Sequence, residues 1–321
     1  MLHLDSDSVK GLLSYNRGVE LSAVAFRLHS SGQVEQPLRT IVKGGESALM
    51  GVMPAYIKSG PYMGFGLKSV VVRFDAEVRG PSHMGIVMIY DEAGVPAVVS
   101  LDAGAITEFR TAAASAYATA ILAAPDASRL AILGTGLQAR AHLLAMQTVR
   151  PVRDVSVWGR SKAACEAFAA WSQHHCGLPV SIHPTVADAV RHSDVVCATT
   201  AAREPVLRRA DLPPRCHVNA IGSSALGFQE LHEDMYQSST LFTDCNRSVL
   251  AASECVIKAV QKGFLSGQYV GTEIGTLCAN DVKGQALGHS QGVTIFKSVG
   301  LAVQDLVFSR DVIRRWVAAS G

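Results

Sequence analysis

The run Arg129-Leu-Ala-Ile-Leu133-Gly134-Thr135-Gly136-Leu137-Gln138-Ala139 decides the fold. Its first five residues predict a buried strand, and residues 138–149 carry apolar positions at helical spacing. Strand, glycine turn and helix, in that order, form the Gly-x-Gly-x-x-Gly/Ala pattern of dinucleotide-binding folds, with alanine in third place. Each position has a physical task. Gly134 permits the tight turn, and Gly136 lets a pyrophosphate approach the backbone. Ala139 keeps helix and strand close. Thr135, Leu137 and Gln138 place N–H groups and the positive end of the helix dipole at the turn. Alone, the pattern is a glycine turn that other α/β folds also carry, so its surroundings give it weight.

Toward the C-terminus, strand-like runs at Arg129–Leu133, 155–158, 180–183, 195–198, 217–221 and 241–244 alternate with helical runs at 138–149, 162–174 and 186–191. That rhythm predicts the α/β class, a Rossmann-type doubly wound parallel sheet. Toward the N-terminus, an alanine-rich helix spans 105–124. Before it come strand-like runs at 38–42, 69–74, 85–90 and 97–101, with Asp91-Glu92-Ala93-Gly94 as a hairpin turn between the last two. With no helices between these strands, an antiparallel or mixed sheet is expected. One capped helix is expected over 6–28, with N-cap oxygens from Asp5 to Ser8. Residues 293–308 and 312–319 read as helices returning to the first block. The expected division is a discontinuous α+β domain, 1–118 with 300–321, and a dinucleotide-binding domain, 119–299.

The end of the second parallel strand sets the kind of dinucleotide. An acid there would bond a ribose 2′-hydroxyl and repel a 2′-phosphate. The sequence instead reads Trp158-Gly159-Arg160-Ser161-Lys162, two cations and a hydroxyl. Arginine grips a phosphate bidentately, so NADP(H) is the expected cofactor, with NAD(H) possible.

Composition removes several other classes. Hydrophobic residues make up 48% and charged residues 17% of the 321, with a net charge of +2. Such a chain can bury enough apolar surface to order itself. No Lys/Arg run suggests a nucleic-acid partner. No stretch approaches the roughly 18–20 apolar residues of a membrane span. The acidic start lacks the basic region of a signal peptide. The seven scattered cysteines include no Cys-x-x-Cys, and the eleven histidines include no His-Glu-x-x-His. Buried thiols in a reducing cytoplasm are expected, and no metal site. His174-His175 are expected at the surface.

Several further segments share one resemblance: Gln36-Pro-Leu-Arg39-Thr40, Gly51-Val-Met-Pro-Ala-Tyr56, Pro81-Ser82-His83, Thr107-Glu-Phe-Arg110-Thr-Ala-Ala113, Val218-Asn-Ala-Ile221-Gly222 and Thr294-Ile-Phe-Lys-Ser298-Val-Gly300. In this order, with the glycine turn, they resemble the ornithine cyclodeaminase/mu-crystallin family over nearly the whole chain. The resemblance implies a homodimer of subunits with a Rossmann domain and a discontinuous dimerisation and substrate domain, the active site lying between them. It implies Arg39, Lys68 and Arg110 as the cations that hold a substrate carboxylate, and Arg110 also as a cofactor neighbour. Ser82 and His83 match the nicotinamide side of the cofactor. Thr200, Ala201, Ile221 and Ser298 match other cofactor-lining positions. Read without the resemblance, Arg39 is a strand-edge cation and His83 a loop histidine. Arg110 stands out even then, because a charge among alanines needs a partner.

One departure redirects the function. Cyclodeaminases of the family carry an aspartate two residues after the glycine of Val-Asn-Ala-Ile-Gly, and here that place is Ser224. A serine can hydrogen-bond but cannot take the charge of a distal ammonium. The resemblance therefore implies the ketimine-reducing branch: NAD(P)H-dependent reduction of a cyclic imino acid, such as Δ1-pyrroline-2-carboxylate or Δ1-piperideine-2-carboxylate. Lys68, or water ordered by Ser224, is expected to supply the proton. The alternatives are cyclodeamination of ornithine or lysine, amino-acid dehydrogenation on the same scaffold, and a non-catalytic NADPH-binding crystallin-like protein.

Overall fold

The computed structural model describes residues 2–45, 48–73, 83–91, 93–99, 104–268, 270–278 and 292–320. The chain divides into two compact units, Met1–Arg110 with Leu301–Gly321, and Thr111–Gly300.

Unit 1 begins with strand β1 (His3–Leu4) and helices α1 (Ser6–Leu12) and α2 (Tyr15–Ser30). One helix was expected here, and two form. Leu13 takes an extended conformation, and the Ser14 side chain caps α2 by accepting from the Arg17 N–H. A serine at this point stabilises a new helix start more than a continued helix. Asp5 caps α1 by accepting from the Ser8 N–H at 2.9 Å. Strands β2 (Val34–Glu35), β3 (Thr40–Lys43), β4 (Ala48–Ile57), β5 (Gly64–Arg73), β6 (His83–Tyr90) and β7 (Pro96–Val99) follow. They form a mixed sheet of order β1-β7-β6-β5-β4-β2, with β3 also on β4. Among the described residues of this sheet, β1 and β7 pair in parallel and the other pairs are antiparallel.

Sequence pattern alone missed β4, although its last residues alternate between buried and half-buried. Its Pro54 lacks an N–H and is unusual inside a strand. Pro54 faces Leu67 of β5 on one side. On the other side it falls between the stretch paired with β3, which ends at Val52, and that paired with β2, which begins at Tyr56. The missing N–H therefore costs no ladder bond.

Helix α3 (Gly104–Leu122) carries the chain into unit 2. Buried Ala112, Ala113, Ala114, Ala116 and Ala118 let this helix approach its neighbours closely. Its C-terminal carbonyls are answered by one side chain: Arg150 Nη2 donates to the carbonyls of Thr119 (2.7 Å), Ala120 (3.1 Å) and Ala123 (2.8 Å).

Unit 2 then runs β8 (Arg129–Leu133), α4 (Leu137–Gln147), β9 (Asp154–Trp158), α5 (Lys162–Cys176), β10 (Val180–Ile182), α6 (Val186–Val190), β11 (Val195–Ala198), β12 (Cys216–Ala220), β13 (Ser239–Thr243), α7 (Asn246–Ala252), α8 (Glu254–Gln261), β14 (Thr272–Glu273), α9 (Ile274–Cys278) and β15 (Val293–Lys297). All eight strands are parallel, in the order β10-β9-β8-β11-β12-β15-β13-β14. This is the expected Rossmann-type α/β sheet, with its strand order reversing beside β8. The core is built from β-strand residues such as Leu133, Val196, Val218 and Ile295, with Met235 and Val256.

β15 corrects an expectation. Residues 293–297 read as the start of a helix, yet they form a central strand between β12 and β13. All five are buried. A strand covered on both faces loses its two-residue alternation, and a short apolar run then looks the same as a buried helix.

Helix α10 (Ala302–Ser320) returns to unit 1 and packs on β4, β5, β6 and α2. It lies so close to β5 that a Cβ on Gly66 would fall 2.9 Å from Leu306 Cγ. Among the described residues, no helix is long and apolar enough to cross a membrane.

Candidate active site

In unit 1, Lys68 lies on the face of β5 that α10 covers. Alternation along β5 puts Gly66, Lys68 and Val70 on that face, and their β4 and β6 neighbours Met53, Ala55, Val87 and Ile89 are buried. The Lys68 ammonium donates to the Thr107 hydroxyl at 2.5 Å and to Asp305 Oδ1 at 3.3 Å. Arg110, one helical turn after Thr107 on α3, places Nε 3.3 Å from the same Oδ1. Arg39, half-buried just before β3, is near enough for its charge to act on Lys68. Two predicted cations thus share one carboxylate that the sequence reading did not single out, and the third, Arg39, lies near Lys68. Burial lowers the Lys68 pKa to about 8; Arg110 and Arg39 add to this effect, and Asp305 opposes it. Lys68 and Arg110 are both buried and share this one acid, a setting in which a small carboxylate is stabilised.

In unit 2, the glycine turn has the shape its sequence predicts. Gly134 has φ +109°, and its N–H donates to the Trp158 carbonyl at 2.8 Å. A Cβ there would lie 2.9 Å from Thr199 Oγ1. Gly136 is the N-cap of α4, makes no side-chain cap bond, and a Cβ at it would meet nothing within 4 Å. A helix start with no side-chain cap at its N-cap and open space in front is a fit for a diphosphate. Leu137 is exposed beside it. Thr135 packs toward Gly159, where an added Cβ would sit 3.0 Å from Thr135 Cγ2.

The remaining cofactor candidates follow the carboxyl ends of parallel strands, where ligands of such sheets bind. Gly159, Arg160 and Ser161 follow β9, with Arg160 exposed and Ser161 capping α5. Thr200 and Ala201 follow β11, Ile221 and half-buried Ser224 follow β12, and Ser298 follows β15. His83 opens β6 opposite Val72. Ser82 lies outside the described residues.

Two buried acids that pattern reading missed hold these loops in place. Glu230 Oε1 accepts from the Thr200 N–H (2.5 Å) and hydroxyl (2.9 Å), and Oε2 accepts from the Gly222 N–H (2.7 Å). Burial pushes its carboxyl up, while nearby Lys297 and these donors pull it back. Lys297 Nζ donates to the carbonyls of Ala220 (3.2 Å) and Ser223 (2.8 Å). Asp244 Oδ2 accepts from the Ser298 hydroxyl (2.8 Å) and from the N–H groups of Val299 (2.9 Å) and Gly300 (2.7 Å). The only sequence signal for Glu230 or Asp244 is a lone acid beside apolar residues, which surface segments share.

Known proteins resemble the chain along its whole length. Ketimine reductase mu-crystallin of Mus musculus is 31% identical over 302 residues, covering 93% of this chain and 90% of that protein. Delta(1)-pyrroline-2-carboxylate reductase of Thermococcus litoralis, solved with NADH and L-proline, superposes with a TM-score of 0.93 at 26% identity, covering 100% of this chain and 98% of that one. An archaeal alanine dehydrogenase dimer with bound NAD has a TM-score of 0.89 at 28% identity, covering 100% and 97%. The model of the ornithine cyclodeaminase/mu-crystallin family matches residues 3–320. With the glycine turn and the cation cluster of its own sequence in place, this chain belongs to the ornithine cyclodeaminase/mu-crystallin family.

Proposed function

We propose that the chain is an NAD(P)H-dependent oxidoreductase that reduces cyclic ketimine carboxylates, Δ1-pyrroline-2-carboxylate to L-proline and Δ1-piperideine-2-carboxylate to L-pipecolate. The observation that carries the reading is the buried pairing of Lys68 and Arg110 with the single carboxylate of Asp305, with Arg39 near enough for its charge to act on Lys68. Relatives named for ketimine and pyrroline-carboxylate reduction support it. Arg39 and Arg110 bind and orient the substrate carboxylate, each charge-assisted bond contributing about 1.5–3 kcal/mol. When bound, the nicotinamide supplies a hydride to the imine carbon. The imine nitrogen gains a proton, for which Lys68 and a water held by Ser224 are the candidate sources. Serine at 224 leaves no carboxylate there for a distal ammonium, which argues against cyclodeamination. The test is loss of reduced-nicotinamide absorbance on adding either imine, with L-proline or L-pipecolate as product. An enzyme that instead releases ammonia from ornithine with no net use of cofactor overturns the reading.

Two finer readings belong with it. NADPH is preferred over NADH, because Arg160, Ser161 and Lys162 stand exposed after β9 where an acid would favour NADH. Arg160→Ala is expected to cost about tenfold or more in kcat/KM with NADPH, and little with NADH. The protein acts as a homodimer in a reducing, cytoplasmic setting. Among the described residues, Val42, Phe65, Val71 and Met84 stand exposed on the sheet face opposite α10. A second copy is the occupant that fits, as the dimeric alanine dehydrogenase relative suggests. Light scattering checks this, with Phe65→Asp plus Met84→Lys expected to give monomer.

A further inference from the structure

Asp305 has no role yet beyond its contacts. It is fully buried on α10, and its Oδ1 is shared between Lys68 of β5 and Arg110 of α3, each at 3.3 Å. Among the described residues its Oδ2 is buried without a hydrogen-bond partner. A bridge serving only to join elements would favour the bidentate arginine fork, with both oxygens engaged. Here one oxygen is divided between the ammonium and the guanidinium.

We propose that Asp305 is a positioning residue of the reaction: it holds the Lys68 ammonium charged and in place beside Arg110, so that Lys68 gives the imine nitrogen its proton. This assignment rests on the imine-reductase reading. In the transfer, an Nζ–H bond of Lys68 breaks and an N–H bond forms on the substrate nitrogen. The imine carbon gains a hydride with its electron pair from reduced nicotinamide, which is oxidised, and Lys68 regains a proton from solvent.

The charges facing Lys68 are Asp305 from α10, Arg110 from α3 and Arg39 ahead of β3, with the Thr107 hydroxyl as its remaining polar contact. Asp305 is the one charge among the described residues that raises the Lys68 pKa, so without it burial and the two guanidiniums would push Lys68 further toward its neutral form. With Asp305 present, burial and the two arginines still hold it at about 8. It is then protonated at neutral pH and can still release that proton, as a general acid must.

The test compares wild type with Asp305→Asn, which keeps the shape and removes the charge. In wild type, kcat/KM for the imine falls with rising pH as Lys68 loses its proton. In Asp305→Asn that alkaline limb is expected to move toward acid by about one pH unit or more. A role in folding alone would lower the whole profile without moving the limb. A second readout needs no activity: carbon-13 NMR of protein labelled at lysine Cε, with the Lys68 signal assigned by its loss in Lys68→Arg. The Lys68 titration is expected to shift with the limb. An unmoved limb, or a limb and a Lys68 titration that part company, overturns the proposal. If Asp305→Asn does not fold, wild type decides alone, since Lys68 titrating below neutral pH overturns it. If wild type reduces neither imine, the reductase reading fails, and the NMR shift still decides whether Asp305 holds the Lys68 charge.

Discussion

Arg110 can be tested by direct replacement. On the proposed reading, Arg110→Ala removes a charge-assisted contact to substrate, and it leaves the Asp305 carboxylate with Lys68. We expect kcat/KM for the imines to fall by roughly 30- to 1,000-fold, about 2–4 kcal/mol, mostly through KM. Steady-state kinetics on protein that keeps its circular dichroism checks this, and near-wild-type turnover would remove Arg110 from the clamp. Two histidines give a second prediction. His142 lies buried between the Gln138 carbonyl (2.7 Å from Nδ1) and the Ser115 hydroxyl (2.9 Å from Nε2). A carbonyl only accepts, so Nδ1 carries the proton and Nε2 accepts from Ser115. Burial lowers His142 to about 4, and burial lowers His217 to about 3. In the unfolded chain both would titrate near 6.5. Their neutral forms therefore contribute fully above about pH 6.5, and that contribution is lost as pH falls toward the folded values, on the order of a few kcal/mol each. Thermal midpoints should drop over this range, and His142→Asn should flatten the slope. Arg110 announced itself in sequence as a charge among alanines, whereas Asp305 did not. An acid on an amphipathic helix looks like surface until the partner strand is known.

Elements differ in how plainly their residues declare them. β8, the glycine turn and α4 were legible because strand, turn and helix each carry a local signal, and Gly134 carries the strongest. Gly134→Ala would force a side chain into a left-handed conformation and against Thr199. Nucleotide affinity should fall by tenfold or more, about 1.4 kcal/mol at least, which calorimetric titration measures. β15 and β4 were not legible, for opposite reasons. β15 is buried on both faces and so has no alternation, while the proline of β4 is tolerated only because of where β2 and β3 happen to pair. Both causes are tertiary, and no local window contains them. The C-terminal end of α3 gives a further check: Arg150→Met deletes the donor to three carbonyls and should destabilise the protein by about 2–3 kcal/mol in urea unfolding.

The whole molecule has unit 1 in two pieces, with residues 1–110 completed by residues 301–321. The sequence reading expected helices at 293–308 and 312–319 to return to the first block, and the structure has one helix there, α10, packed on strands of unit 1. Which charges it would bring was not visible. Unit 2 is continuous, so truncation after Gly300 should leave a folded parallel-sheet unit and an unfolded or protease-sensitive unit 1. Limited proteolysis with mass analysis would find the surviving fragment within residues 111–300 if this is right. A single cooperative loss of both units would contradict it. The arrangement also bears on the order of synthesis. A ribosome makes Lys68, Arg110 and the described strands of the parallel sheet before it reaches Asp305, so a nascent chain carries these two cations before the acid they share. The like charges of Lys68 and Arg110 repel one another until Asp305 joins them, so this buried cluster closes late in synthesis.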